Sequence, residues 1–270
     1  MFNFRKIAIA CTVSALIVGS ALAQTAPFTP TVGRAGKDVV WVPTPQALVD
    51  RMLEMAEVTK DDYIIDLGSG DGRTVITAAK LGARAHGIEY DPDMVALSQR
   101  NVEAAGVADR ATFAQGDIFE SDFSEATVIT LFLLPDLNLK LRPLLLDMEP
   151  GIRVVSNTFN MGDWQPDDQV EAGDGCTNYC NAYKWTIPAK VEGRWRFGEA
   201  ELTLTQTYQM LTGALTHNGE TFPISDAKMD GRTISFTAAG RHYTGQVGAD
   251  NTMTGSMEGG GGWSASRSAS

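Results

Sequence analysis

The spacing of hydrophobic positions divides the chain into two long parts with different predicted structures. Between residues 44 and 156, short apolar runs predict buried strands, and apolar residues spaced three or four apart predict helices. A helix beginning near residue 44 is followed by strands at 63–66, 84–89, 111–114, 126–134 and 152–156, and by intervening helices at 73–81, 92–105 and 136–148. This alternation predicts an α/β fold, with a parallel sheet covered by helices on both faces.

Beyond Pro188 the apolar segments become short and rich in Thr, aromatic and β-branched residues. Asn218-Gly219 and Asp230-Gly231 lie between some of these segments and are typical of hairpin turns. Predicted strands cover residues 194–197, 201–208, 209–216, 233–237, 243–247 and 253–257. We therefore expect a separate antiparallel β-module at 190–263, built as a small sheet or partial barrel, with a flexible tail at 264–270.

The first residues have the pattern of a secretory signal peptide. Arg5 and Lys6 precede an apolar run, and Ala21-Leu22-Ala23 supplies small residues before a cleavage point. An uncleaved membrane anchor is the alternative, although the apolar run is short for a bilayer span. We expect cleavage after residue 23, an extended lead-in at 24–43, no transmembrane segment in the mature chain, and a periplasmic or secreted protein.

The charge of the chain disfavours a nucleic-acid partner. The formal net charge is −11, and removal of the signal segment takes away two further positive charges. Lys and Arg residues are only scattered, even around residues 142–153 where they are densest, whereas binding a polyanion requires a basic face. The partner is therefore expected to be an unknown protein or a small molecule.

Cys176 and Cys180 are the pair that remains once the signal segment is removed. A disulfide is the first interpretation for two cysteines in a loop of an exported chain. A zinc site would need further ligands, and the histidines lie in remote segments, so no metal is predicted. A catalytic thiol has no histidine near it in sequence.

A glycine-rich turn follows the first predicted strand and is the strongest candidate for a binding site. Asp66 precedes Gly68-Ser69-Gly70, and the helix that follows offers free backbone N–H groups. The dinucleotide fingerprint G-x-G-x-x-G fails, because Arg73 occupies its last position. An acidic residue followed by G-x-G-x-G resembles motif I of the class I S-adenosylmethionine-dependent methyltransferases. Asp66 would then bind the ammonium group of the cofactor.

The next two strand ends carry acids that suit a nucleoside. Glu89 can accept hydrogen bonds from both ribose hydroxyls, and Tyr90 supplies a flat neighbour for adenine. An NAD-binding fold also places an acid at the position of Glu89. Asp117 can accept from the adenine amino group while the Ile118 N–H donates to the ring, and this second acid favours S-adenosylmethionine over NAD.

The fourth strand end is expected to face the methyl acceptor. An apolar strand ends at Leu134-Pro135, whose carbonyls could line the acceptor side together with the carboxylate of Asp136. The alternative is a strand that simply ends where a proline starts the next helix. The sequence assigns no residue as a general base.

Further segments extend the resemblance. They are Trp41-Val42-Pro43-Thr44-Pro45, Leu134-Pro135-Asp136-Leu137-Asn138-Leu139 and Gly162-Asp163-Trp164-Gln165-Pro166. With the glycine turn, they resemble the small lysine methyltransferases related to the ATP-synthase c-subunit methyltransferase, and more closely their secreted bacterial relatives. The resemblance implies a Rossmann-like methyltransferase domain at 44–188, S-adenosylmethionine as cofactor, and a protein lysine as one candidate acceptor.

S-adenosylmethionine is made in the cytoplasm, so an exported enzyme would need this cofactor outside the inner membrane. This difficulty raises a competing hypothesis. The chain is either a secreted methyltransferase or a catalytically inactive methyltransferase-fold binding protein of the cell envelope. Asp66, Glu89 and Asp117 favour the enzyme, because a pocket without its ligand has no physical reason to keep three strand-end acids.

Overall fold

The computed structural model of the protein describes residues 28–268, and the predicted signal segment at 1–23 lies outside them. Helices and strands alternate through the first unit, as its apolar spacing predicts. The elements are α1 (Gln46–Met55), β1 (Tyr63–Leu67), α2 (Arg73–Lys80), β2 (Arg84–Glu89), α3 (Pro92–Ala105), β3 (Ala111–Gln115), β4 (Val128–Leu131), α4 (Pro135–Leu146), β5 (Arg153–Asn157), β6 (Asp168–Glu171) and β7 (Asn181–Thr186).

The seven strands form one mixed sheet in the order β3-β2-β1-β4-β5-β7-β6. Strands β1 to β5 pair in parallel, whereas β7 is antiparallel to both of its neighbours. The sequence pattern predicted the parallel part and missed β6 and β7. Strand β6 is a four-residue edge strand with a single apolar side chain, Val170, packed against the core, so its sequence carries no period-2 signal. The α/β class is confirmed.

Both faces of the sheet are covered. Helices α1, α2 and α3 pack on one face, where Leu53, Val75 and Val128 belong to the same buried cluster. Helix α4 packs on the other face, together with Trp164 and Trp185. A parallel sheet needs this double cover, because its strands are apolar on both sides.

The second unit is an antiparallel sheet that closes on itself. Its strands are β8 (Gly193–Phe197), β9 (Ala200–Thr207), β10 (Met210–His217), β11 (Glu220–Pro223), β12 (Ser225–Asp230), β13 (Thr233–Ala238), β14 (Arg241–Val247), β15 (Thr252–Met257) and β16 (Gly262–Arg267). Strand β16 pairs with β8, and β10 pairs with both β9 and β12, so eight strands make a ring with β11 attached. Aromatic side chains, including those of Phe236 and Trp263, fill its interior.

The flexible tail predicted from residue 264 is wrong, because β16 runs to Arg267. Trp263 and Ala265 are buried while Ser264 between them is exposed, which places Trp263 and Ala265 on the inner face of the ring. Small Ser and Ala residues gave no hydrophobic pattern, so only the pairing with β15 reveals the strand.

The lead-in predicted as extended folds back on itself. Residues 33–41 form a hairpin, in which the Gly33 N–H donates to the Trp41 carbonyl at 2.9 Å and the Trp41 N–H donates to the Arg34 carbonyl at 2.8 Å. An Ala35 to Val40 bridge lies inside this turn. We call this segment the N-terminal hairpin. In the described part of the chain, no helix is long and apolar enough to cross a membrane.

Candidate functional site

A cleft lies at the carboxyl ends of β1 to β5, between the loops that follow these strands and the N-terminal hairpin. Ligands of open α/β sheets bind at this edge, next to the point where the strand order reverses. The cleft brings together every residue predicted to bind a cofactor and one of those predicted on the acceptor side, namely Asp66, Gly68, Ser69, Gly70, Glu89, Tyr90, Asp117, Ile118 and Leu134.

The glycine turn passes directly beneath the N-terminal hairpin. The N–H groups of Gly68 and Ser69 both donate to the Ile88 carbonyl, at 2.9 and 3.0 Å, which fixes the turn against β2. Gly70 has a φ of 55°, and a Cβ atom added there would lie 2.6 Å from Nε1 of Trp41. Glycine is therefore required at position 70 for both backbone conformation and close approach.

Glu89 is held by two backbone donors. Its Oε2 accepts from the Gly70 N–H at 2.9 Å, and its Oε1 accepts from the Asp91 N–H at 2.9 Å. A carboxylate oxygen can accept more than one hydrogen bond, so both oxygens remain able to accept from a ligand. The carboxylate is thus oriented in advance for a pair of hydroxyls, as in a ribose.

Asp66 is a buried acid at the end of β1. The Thr130 hydroxyl donates to its Oδ1 at 2.6 Å. Burial raises the pKa of Asp66 to about 7, and the charges of Glu89 and Asp71 act in the same direction while the Thr130 hydrogen bond opposes them. A ligand ammonium beside this carboxyl would favour its ionised form.

Asp117 already has partners in this structure. Its Oδ2 forms an ion pair with Lys37 of the N-terminal hairpin, and its Oδ1 accepts from the Phe119 N–H at 3.0 Å. The hydrogen bond from Lys37 is the main cause that holds the pKa of Asp117 below its usual value. The Lys37 ammonium also lies 5.2 Å from the ring centre of Tyr90. The hairpin therefore contacts two of the three residues predicted to surround adenine, Tyr90 and Asp117.

Arg73 occupies the position at which the dinucleotide fingerprint fails. Its Nη2 donates to Oδ2 of Asp71 at 2.6 Å, and its Nη1 donates to the Thr44 carbonyl at 2.8 Å. The side chain thus fastens the glycine turn to the segment that leads into α1. This structural role explains why an arginine stands there.

The acceptor-side prediction needs correction at the Leu134 carbonyl. This oxygen accepts from the N–H groups of Leu137 and Asn138, at 3.0 and 3.1 Å, because Pro135 is the first residue of α4. The Leu134 side chain does line the cleft, whereas Pro135 and Asp136 lie in an adjoining depression beside Asp38.

Three aromatic residues outside the predicted site residues also line the cleft. Phe132 follows β4, Phe159 follows β5, and Tyr179 lies in the loop between β6 and β7. Cys176 and Cys180 form a disulfide across this loop, as predicted. Phe132 lies inside the apolar run predicted as a strand at 126–134, and Phe159 lies two residues after β5, and these were the signals available in the sequence. Nothing in the sequence places Tyr179 near them.

The N-terminal hairpin is the other part of the site that was missed. Nε of Arg34 donates to Oδ2 of Asp91 at 2.8 Å, and its Nη2 donates to Asp93 at 3.0 Å. Together with the Lys37 to Asp117 pair, these contacts hold the hairpin over the ends of β2 and β3. A short polar segment without periodicity does not reveal such contacts in its sequence.

Comparison with protein families gives a match to the ANTKMT methyltransferase domain over residues 66–168. The chain is 44% identical over 144 residues to a protein-lysine N-methyltransferase of Saccharolobus islandicus (strain REY15A), covering 52% of the chain and 89% of that protein. It is 32% identical over 161 residues to the ATP synthase c-subunit lysine N-methyltransferase of Homo sapiens, covering 58% of the chain and 69% of that protein.

Among solved structures, the chain resembles that of an RNA methyltransferase from Salinibacter ruber in complex with S-adenosyl-L-homocysteine. The identity is 53% and the TM-score 0.52, and the match covers 56% of this chain and 96% of that one. The names of these relatives therefore agree on methyl transfer and differ on the acceptor.

Proposed function

The chain belongs to the class I S-adenosylmethionine-dependent methyltransferases, in the family of the ANTKMT methyltransferase domain, and on this premise we propose that it methylates the ε-amino group of a protein lysine. The family and S-adenosylmethionine as its cofactor are confirmed by the relatives that the chain matches. The choice of a lysine acceptor is our inference.

The choice of a lysine acceptor rests on the charge of the cleft. In the described residues, the basic side chains that line the cleft are Arg34, Lys37 and Arg73, and each is already paired with an aspartate. A phosphate backbone requires free cations, which this lining does not offer. An alkylammonium group can enter such a cleft without meeting an unpaired positive charge. The name of the Salinibacter relative makes RNA the competing acceptor.

The residues of the cleft have the chemistry that the cofactor needs. Asp66 lines the cleft and would bind the ammonium group of the cofactor, and the two oxygens of Glu89, held by backbone N–H groups, would accept from its ribose hydroxyls. Bound there, S-adenosylmethionine supplies a sulfonium methyl: the acceptor nitrogen lone pair forms the new N–C bond, the C–S bonding pair goes to sulfur, and the methylated amine releases its proton to water.

The chain's own contribution is to position the acceptor and exclude water. Leu131 and Leu133 are buried at the end of β4, and the N-terminal hairpin covers the opposite side. A lysine ammonium entering these apolar surroundings loses hydration, which lowers its pKa and favours the neutral amine that attacks. Once the amine is neutral, attack on a sulfonium methyl needs no further proton transfer, and positioning dominates the rate.

Transfer of labelled methyl groups from S-adenosylmethionine to a lysate of the source cells tests the proposal. After complete hydrolysis, we expect the label in methylated lysine, and we expect it to survive nuclease and disappear with protease. Glu89→Ala should abolish the labelling, whereas Glu103→Ala, an exposed position on α3, should retain it. Label recovered in nucleotides would overturn the lysine acceptor. Cofactor binding without any transfer would favour the inactive binding protein.

We also propose that the protein acts outside the cytoplasm. Two features support this: the signal pattern of residues 1–23 in the sequence, and the Cys176 to Cys180 disulfide, since disulfides persist mainly in oxidising compartments. Fractionation of cells expressing the full chain, beside a variant lacking residues 2–23, tests this proposal. Recovery of both forms in the cytoplasm with free thiols would contradict it.

A further inference from the structure

We propose that Phe132, Phe159 and Tyr179 form an aromatic wall that receives the alkyl chain and ammonium group of the acceptor lysine, and that the disulfide positions Tyr179 in this wall. The inference rests on the proposed lysine acceptor and extends it to named residues. It assigns recognition of the acceptor to the loop between the edge strand β6 and its neighbour β7.

The three rings contact one another at one end of the cleft. The ring centres of Phe132 and Tyr179 lie 5.2 Å apart, those of Phe132 and Phe159 6.2 Å, and those of Phe159 and Tyr179 6.4 Å. Phe132 directly follows β4, whereas Glu89 is the last residue of β2 and Asp117 follows β3. Because β1 separates β4 from β2 in the sheet, the wall lies away from the nucleoside end of the cleft.

The rings of this wall are available to a cation. Elsewhere in the protein, exposed basic side chains lie over aromatic rings, such as Arg84 over Tyr63 at 3.8 Å and Lys140 over Phe119 at 3.7 Å. Within residues 28–268, no such basic partner lies over any ring of the wall. Tyr179 is 42% exposed. An ammonium or methylated ammonium group is attracted to such faces.

Two independent restraints hold the wall in place. Asn138 is fully buried and donates through Nδ2 to the carbonyls of Phe159 and Asn160, at 3.1 and 3.2 Å. The Thr158 N–H donates at 2.7 Å to the carbonyl of Asn181, the residue that follows the disulfide. The segment carrying Phe159 is thus bonded to the base of the loop carrying Tyr179.

The disulfide constrains the backbone of Tyr179. This residue has a φ of 57°, in the left-handed region that bulky side chains rarely occupy. Non-glycine residues persist in that region only where the surrounding structure holds them, and they cluster at binding sites. The cross-link from Cys176 to Cys180 closes the short loop around Tyr179 and supplies such a restraint. Without it, the loop can relax and withdraw the ring from the wall.

Aromatic rings also stack on nucleobases, so the charge of the surroundings decides between the two ligands. The basic residues that line the cleft are paired with aspartates, as described above, and the overall charge is −11. A base delivered on a phosphate backbone would meet repulsion. A lysine side chain meets attraction, and the wall therefore fits the cationic ligand.

Binding of a short peptide to the protein saturated with S-adenosylhomocysteine tests the wall without requiring turnover. The probe is the tripeptide Gly-trimethyllysine-Gly, and its control is the same tripeptide with uncharged norleucine. By calorimetry, we expect the cationic peptide to bind roughly three to thirty times more tightly than the norleucine peptide. A uridine tetranucleotide serves as the nucleic-acid arm. Equal binding of both peptides, or tighter binding of the tetranucleotide, would overturn the proposal.

Variants then separate the wall from the rest of the site. Tyr179→Ala should remove most of the preference for the cationic peptide, and Tyr179→Phe should retain it. The double variant Cys176→Ser, Cys180→Ser should weaken peptide binding severalfold. Affinity for S-adenosylhomocysteine should stay unchanged in all three variants, which shows that the fold is intact. Tyr179→Ala or the double variant binding the peptide as tightly as wild type would refute the corresponding part of the inference.

Different results would refute the aromatic wall and the proposed function. Peptide binding that depends on Tyr179, without methyllysine in the lysate assay, leaves the wall as a cation-binding site and removes the lysine methyltransferase activity. Methyllysine formation with a KM that is unchanged in Tyr179→Ala preserves the activity and removes the wall.

Discussion

Protonation of Asp66 and binding of the cofactor are coupled. Because burial raises its pKa to about 7, the folded protein without cofactor holds a proton on Asp66 that the unfolded chain loses near pH 4. Its contribution to stability is therefore largest below pH 4 and is lost as the pH rises through 7. An ammonium group bound beside it reverses this preference, since the ionised form is then favoured.

We therefore expect affinity for S-adenosylhomocysteine to increase with pH below 7, by at most about tenfold per pH unit for one proton, and to level off above 7. Asp66→Asn should bind weakly and should lose this dependence. Calorimetric titrations between pH 5 and 8 provide the measurement. Asp61→Asn, at an exposed position just before β1, should behave as wild type. An undiminished pH slope in Asp66→Asn would show that another group titrates.

At the scale of single elements, the glycine turn packs closely on β2 because Gly87 has no side chain. A Cβ atom at the buried Gly87 would lie 2.5 Å from Cδ1 of Phe113 and 2.5 Å from Oγ of Ser69. Both neighbours are buried, and Ser69 belongs to the turn itself. Neither can move without disturbing the cleft.

Gly87→Ala should lower the free energy of unfolding by about 1–3 kcal/mol through overpacking. It should also weaken binding of S-adenosylhomocysteine, because displacement of Ser69 moves the turn. Urea denaturation and calorimetry measure the two effects. Gly173→Ala is the matched control, since a Cβ atom there meets no other atom within 4 Å. Equal stability of the two variants would contradict this account of β2.

The N-terminal hairpin is held over the cofactor site by partly exposed ion pairs. Salt weakens such pairs, and their loss frees the segment rather than unfolding the sheet. Arg34→Ala combined with Lys37→Ala should therefore speed the dissociation of S-adenosylhomocysteine severalfold in stopped-flow measurements. In wild type the dissociation rate should rise with salt, and in the double variant this rise should vanish. Lys60→Ala, at an exposed lysine paired with its neighbour Asp61, should leave both the rate and its salt dependence unchanged.

At the scale of the whole molecule, sequence and structure agree where local pattern decides the outcome. The parallel strands and the strand-end acids could be predicted, since apolar spacing fixes β1 and β2 and places Asp66 and Glu89 at their ends. Residues brought in from distant segments could not. Lys37 contacts Asp117 across eighty positions, and Tyr179 reaches Phe132 only through the pairing of β7 with β5. Such contacts depend on tertiary packing, which a single sequence does not specify.

The β-module is joined to the methyltransferase unit through a buried polar contact. Trp164 is fully buried beneath α4, and its Nε1 donates to Oε1 of Gln209 at 2.9 Å. Gln209 in turn donates to the Gln165 carbonyl at 2.8 Å, and Tyr208 stacks on Trp164 with ring centres 5.8 Å apart. Because the core of one unit is completed by residues of the other, we expect the two units to unfold together.

Gln209→Leu tests this coupling, since leucine preserves the bulk and leaves the Trp164 N–H without a partner. An unsatisfied buried donor costs about 1–3 kcal/mol, so the whole protein should lose this much stability. Near-ultraviolet circular dichroism reports both units through their tryptophans and should show one shifted transition. Gln246→Leu, exposed on β14, should have little effect. If Gln209→Leu instead separates the melting into two transitions with the methyltransferase unit unshifted, the β-module is an independent domain, and its contact with Trp164 does not support the catalytic fold.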